Sequence, residues 1–256
     1  LFSIFGVVFA PFGLVWPGTA QFAVSLVSGA LFLFGLYALY VALKRGEASR
    51  IIPIVGGFTP LSVSLLAYLL VGERLNQYQI AAFLLLVLGG VFISLGRGTM
   101  KLAPRGLLMA VTAAVLFGLS YTLIKIVFIY QPFFSGFVWT RVGSFLAAFL
   151  LLIPRETRQA IMQNVRTVGL KTGGLFVFNK FLGGVIALLL NYAFFLGSVT
   201  LVNALQGVQY VFLFLFTALL SRYSPRILHE ELTRPVLVQK LFATLLIALG
   251  FGLLYH

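Results

Sequence analysis

The chain has 256 residues, of which 61% are hydrophobic and 9% are charged. A globular domain carries about 25% charged residues, so this composition excludes an ordinary water-soluble fold. The net charge of +13 does not point to a nucleic-acid partner: the basic residues are spread over short connections between apolar stretches, as in a protein that retains positive charge on the cytoplasmic side of a bilayer.

Nine apolar stretches follow one another, at 1–16, 24–43, 49–71, 76–96, 105–128, 133–153, 173–196, 199–221 and 235–255. Most have about the 20 residues that a helix needs to cross a hydrocarbon layer of roughly 30 Å. They are too long for strands and do not alternate, and helices satisfy their own backbone in lipid. The expected fold is therefore an all-α polytopic membrane bundle. The first stretch lacks the basic start of a signal peptide, and the chain opens inside it at Leu1, so one more upstream span is expected, nine being present of ten. The breaks carry the usual punctuation: Trp16-Pro17-Gly18, Lys44-Arg45-Gly46, Gly96-Arg97-Gly98, Gln131-Pro132 and Ser224-Pro225.

The connections alternate in charge. Lys44–Arg50 carries +2, Arg97–Arg105 +3, Arg155–Lys171 +3 and Arg222–Arg234 +1, while the connections between them are neutral. The alternation supports the span count and puts the four basic connections in the cytoplasm. An internal repeat accompanies it. Gly46-Glu47-Ala48-Ser49 aligns with Gly197-Ser198-Val199-Thr200 at an offset of 151, and Gly72-Glu73-Arg74-Leu75 with His229-Glu230-Glu231-Leu232 at 157. One Glu-bearing turn falls in a neutral connection and the other in a basic one. The halves, 1–100 and 101–256, are therefore expected to lie inverted across the membrane, the layout of many secondary transporters.

The stretch Ala42-Leu43-Lys44-Arg45-Gly46-Glu47-Ala48-Ser49, with Pro53, Pro60, Gly72-Glu73-Arg74-Leu75 and Gln79, resembles the EamA domain of the drug/metabolite transporter superfamily. Gly197-Ser198, Asn203-Ala204-Leu205-Gln206 and Glu230-Glu231-Leu232 resemble its second copy, although His229-Glu230-Glu231-Leu232 does not repeat Arg74. The resemblance covers nearly the whole chain. It implies ten helices in two inverted five-helix repeats, a small-metabolite substrate such as an amino acid or nucleotide sugar, and a place in the cell membrane, here the bacterial inner membrane. Members of the family generally keep both termini in the cytoplasm, which would put the Glu73 turn there; the charge count puts it outside.

Polar groups inside spans are costly and tend to face a cavity or a partner. Arg141 lies near the middle of the 133–153 span, too deep to snorkel comfortably. It either attracts an anionic substrate group such as a carboxylate or phosphate, or pairs with backbone carbonyls or a Tyr and fixes helix packing. Lys180, two turns into its span beside Asn179, either meets the substrate or snorkels to the interface, and Lys125, near a span end, suits a snorkelling structural role. Asn203, Gln206 and Tyr210 share one face of the 199–221 span. That face either lines a binding cavity or makes interhelical hydrogen bonds. Asn191 and Tyr192 are further candidates. Pro53 and Pro60, with Gly56 and Gly57 between them, form either a hinge or a close-packing stretch. Glu73 and Arg74 form either a gate latch or a paired turn cap. The ten Tyr and two Trp are read as interfacial anchors near span ends.

The chain has no Asp and no Cys, and its five Glu fall in connections or at span ends. No metal or cofactor is expected, and membrane-embedded hydrolytic or metal chemistry lacks its residues. A proton-driven pump normally needs an ionisable group within the membrane, so facilitated export, exchange, or coupling through the upstream segment is expected. The leading expectation is a secondary transporter of a small polar or anionic metabolite, working by alternating access, with the substrate and the bilayer as its partners. The alternative is a lipid-carrier flippase or its membrane subunit, and a purely structural subunit is the blandest reading.

Overall fold

The computed structural model describes residues 14–94, 104–153, 158, 170–223 and 234–254. Among the described residues 88% are helical and none lies in a strand. The helices are α1 (Thr19–Leu43), α2 (Ala48–Leu66), α3 (Gln77–Ser94), α4 (Pro104–Tyr130), α5 (Phe133–Leu151), α6 (Leu170–Leu196), α7 (Val199–Leu205), α8 (Val208–Tyr223) and α9 (Arg234–Leu253). Among the described residues six segments are long and apolar enough to cross a membrane: Thr19–Leu43, Arg50–Val71, Pro104–Tyr130, Phe133–Leu151, Phe176–Leu196 and Val199–Phe216. Gln77–Ile93 and Val238–Leu253 are apolar but shorter. Most of the expected first span, the 97–103, 155–157 and 159–169 parts of the basic connections, and the His229-Glu230-Glu231-Leu232 turn lie outside the described residues.

The chain forms two compact units, one of Leu1–Leu36 with Leu119–Gly197, the other of Tyr37–Gly118 with Ser198–His256. These interleave along the sequence, whereas the repeats read from sequence similarity are consecutive.

The first unit is held by small residues and hydroxyls. A Cβ added at Gly29 of α1 would overlap the Thr140 carbonyl of α5, and one at Gly143 would overlap the Leu26 backbone. Glycine therefore brings the two helices to backbone contact, the way helices associate in lipid, where apolar burial gives little drive. Ser144 Oγ donates across this contact to Gly29 O at 2.8 Å. Ser28 and Ser120 each donate to the other's carbonyl, at 3.0 and 2.9 Å, tying α1 to α4. Lys125 Nζ donates to Phe194 O at 2.9 Å and Gly197 O at 2.6 Å. A cation on the carbonyls at the end of α6 caps that helix and suits its dipole, in place of the snorkelling expected of Lys125. Trp16, Phe22 and Trp139 form an edge-on ring cluster, with Trp139 Nε1 donating to Val15 O at 3.2 Å.

In the second unit α9 packs along α3 around Phe83, Leu86, Ile93, Ala243 and Ile247. The α2 helix runs unbroken past Pro53 and Pro60. Each ring removes one backbone donor, leaving Ser49 O and Gly56 O without their usual helical partners. A π-helical turn, Ala67–Val71, follows and ends at Gly72, where φ is 71°. Only glycine takes that left-handed conformation cheaply. There the Glu73 N–H returns to Ala67 O at 3.1 Å, a Schellman-type closure. The α3 helix then starts on a reciprocal cap: Gln79 N donates to Asn76 Oδ1 at 2.8 Å and Asn76 N to Gln79 Oε1 at 3.0 Å.

The expected 199–221 span is interrupted at Gln206–Gly207. The backbone there tightens to three-residue bonds: Gln206 N to Asn203 O, Gly207 N to Ala204 O, Gln209 N to Gln206 O and Tyr210 N to Gly207 O. Close packing is the accompanying cause. A Cβ at Gly207 would stand 3.1 Å from Leu86 O and 3.4 Å from the Gly90 Cα.

Candidate functional site

Arg141 is 4% exposed, in the middle of α5. Its guanidinium carbon lies 5.6 Å from the ring centre of Phe32 and 5.1 Å from that of Phe137. The side chain borders a cavity of about 190 Å³ between α1, α4, α5 and α6, lined also by Ser28, Gly29, Phe32, Ser120, Tyr121, Thr140 and Asn191. At about 30 Å³ per water this is the room of roughly six waters, enough for a small metabolite and not for a nucleotide.

Most polar groups of the lining are already engaged. Ser28 and Ser120 serve each other's carbonyls, and Thr140 Oγ1 donates to Phe137 O at 2.8 Å. Asn191 Nδ2 donates to Ala187 O at 2.6 Å, which fixes the amide's orientation, and its buried Oδ1 accepts no hydrogen bond from the protein. The lining includes no carboxylate. A guanidinium in such surroundings meets ring faces, which attract cations by about 0.5–2 kcal/mol but bring no opposite charge. A guanidinium in this lining is chemically suited to an anionic group, and the Asn191 Oδ1 acceptor belongs to the same lining.

The other expected site residues fall elsewhere. Lys180 sits on α6 in the same unit, its ammonium 5.3 Å from the Phe176 ring centre on a mostly exposed helix. It is not among the residues that line the Arg141 cavity. Asn203, Gln206 and Tyr210 belong to the second unit. Asn203 is buried, with Nδ2 donating to Val199 O at 2.9 Å, while its Oδ1 accepts from Gln206 Nε2 at 3.0 Å. The polar face is thus partly spent on its own helix, at the break. The Tyr210 hydroxyl lies over Gly56 of α2, where a Cβ would come within 2.6 Å of it.

Glu73 and Arg74 border an open groove of about 600 Å³ with Ser64, Tyr68 and Thr200. The Glu73 carboxylate is engaged by Ser198 through Oε1, while its buried Oε2 has no hydrogen-bond partner. Ser198 Oγ also accepts from Leu201 N at 2.9 Å as the N-cap of α7. The turn after α2 is therefore latched to the start of α7, 125 positions away, rather than closed by a local pair with Arg74. Pro53 and Pro60 stay within the helix that ends in this turn.

Sequence reasoning missed Ser28, Ser120, Tyr121 and Phe32. Ser28-Gly29 and Gly118-Leu119-Ser120 are small polar pairs in mid-span, and that was the available signal. Tyr121 also departs from the anchor role expected of tyrosines: it lies well inside α4 and packs on Phe32 and Phe194, with ring centres 6.3 and 5.3 Å away.

No protein-family model matches this chain. No curated protein matches either. The fold has been seen before: one solved crystal structure superposes with a TM-score of 0.59 over 98% of this chain and 83% of its own, at 19% identity. That likeness bears on architecture only.

Proposed function

We propose that this membrane-embedded protein is a multi-pass secondary transporter of a small polar or anionic metabolite. On this reading nine spans form two inverted EamA-like repeats in the inner membrane of a bacterium, and alternating access carries the substrate. The observation that supports it best is Arg141, buried beside a small cavity whose lining has no carboxylate. A guanidinium makes strong charge-assisted contacts to carboxylate and phosphate groups, so a cavity with this lining favours an anion. The interrupted α7–α8 segment fits the same reading, since transporters commonly break helices at mid-membrane. The Glu73–Ser198 tie and the prolines of α2 then serve as latch and hinge. No catalytic chemistry, metal or cofactor is part of the proposal.

The test is uptake of radiolabelled small carboxylates and phosphate esters into proteoliposomes, against protein-free liposomes. Protein-dependent, saturable uptake is expected. No uptake of any anion above the blank overturns the transport reading. The flippase alternative draws on Lys180 and the exposed α6 surface, and it predicts instead scrambling of a fluorescent lipid-linked phosphate that Lys180→Ala abolishes.

A further inference from the structure

Three properties of the Arg141 cavity narrow the chemistry of what it takes. The guanidinium supplies positive charge. The lining supplies no carboxylate, so an ammonium entering the cavity would have no anion there to meet it, at the cost that any unpaired buried charge carries. Asn191, which is 5% exposed, supplies an acceptor: one amide hydrogen goes to Ala187 O, which points Nδ2 at that carbonyl, and Oδ1 is buried with no hydrogen-bond partner among the described residues. An acceptor so placed asks for a neutral donor. The hydroxyls of Ser28, Ser120 and Thr140 do not provide it, because each donates to a backbone carbonyl.

We infer that the cavity binds a small hydroxylated anion, with the carboxylate or phosphate group on Arg141 and the hydroxyl donating to Asn191 Oδ1, and that it rejects zwitterions. This deepens the transport reading by naming the substrate class, and it separates this protein from carriers of α-amino acids. About 190 Å³ suits an anion of a few carbons, and the flanking rings of Phe32 and Tyr121 suit its apolar edge.

Two matched sets of probes test it. 2-Hydroxypropanoate, propanoate and alanine share a carbon skeleton and differ in carrying a hydroxyl, a hydrogen or an ammonium. 2-Hydroxyethyl phosphate, ethyl phosphate and phosphoethanolamine repeat the comparison on a phosphate and show which anionic group is preferred. Equilibrium binding to the full chain in detergent is the primary readout, with flux measured separately. In at least one set the hydroxyl probe is expected to bind about tenfold more tightly than its unsubstituted partner, one well-made hydrogen bond to a buried acceptor being worth that factor, and the ammonium probe not measurably. Asn191→Leu is expected to erase the tenfold preference while leaving the unsubstituted anion bound. Asn191→Asp, nearly isosteric, is expected to weaken every anion at least tenfold through charge repulsion.

Ammonium probes that bind as well as the hydroxyl ones would overturn the inference, as would a hydroxyl preference that survives Asn191→Leu, or no binding in either set. Selective binding without flux would leave the inference standing and overturn the transport reading alone.

Discussion

Replacing Arg141 with methionine separates a binding role from a packing role, because the two predict different patterns of loss. Methionine has similar reach and no charge. If Arg141 anchors an anion, its loss removes a buried charge-assisted contact worth about 2–5 kcal/mol. At 1.4 kcal/mol per tenfold, affinity for the bound anion falls by roughly 30- to 4,000-fold. The resting protein fares differently. Substituting an apolar side chain for a buried ionic group is often neutral or stabilising by about 1–4 kcal/mol, and the lost attraction to Phe32 and Phe137, near 1 kcal/mol for each ring, offsets part of that. The variant's own unfolding free energy is therefore expected to lie between a loss of about 1 kcal/mol and a gain of about 2 kcal/mol. Thermal unfolding in detergent without added anion measures the second quantity; proteoliposome uptake, normalised to folded protein, measures the first. A melting temperature that falls by several degrees while normalised uptake is unchanged would refute the reasoning and make Arg141 a packing residue.

Gly29→Val or Gly143→Val should destabilise the first unit by about 3 kcal/mol or more, since each Cβ meets backbone that cannot yield; Gly174→Ala, with nothing within 4 Å, is the neutral control, and size-exclusion monodispersity reads the difference. Asn76→Ala and Gln79→Ala should each cost about 1 kcal/mol and together less than their sum, because one reciprocal cap is lost either way; an additive cycle in thermal unfolding would argue against the cap. Ser198→Ala should cost about 2–3 kcal/mol, combining a hydrogen bond to a carboxylate with an N-cap. Hydrogen exchange should quicken over residues 199–205, and unchanged protection there would count against the latch.

The helical class and the positions of the interruptions were legible in the sequence, because both follow from apolar run length and turn residues. Gln131-Pro132 and Gly197-Ser198 fall between helices as their composition requires. The break at Gln206–Gly207 was not legible. Hydropathy continues across it, and the contact that accompanies it involves Gly90, more than a hundred positions away. Arg141 stood out alone because charge in an apolar run is conspicuous. Its surroundings did not, because Ser28, Ser120 and Asn191 are ordinary mid-span polar residues until the helices bring them to one cavity. Lys180 shows the converse: a charge as conspicuous as Arg141 lies outside that lining, since one-dimensional spacing does not say which face of α6 looks inward.

The divided segment formed by α7 and α8 has the proportions of an unequal lever. At 1.5 Å per residue its arms of 7 and 16 residues measure roughly 10 and 24 Å. Tilting either arm by about ten degrees at Gly207 displaces the tip of the short one by roughly 2 Å and that of the long one by roughly 4 Å. The fulcrum is two glycines in contact, and the short arm's far end is the one fastened to Glu73. The arm with the smaller reach is thus the one held at its far end, and the arm with the larger reach lies beyond the glycine contact.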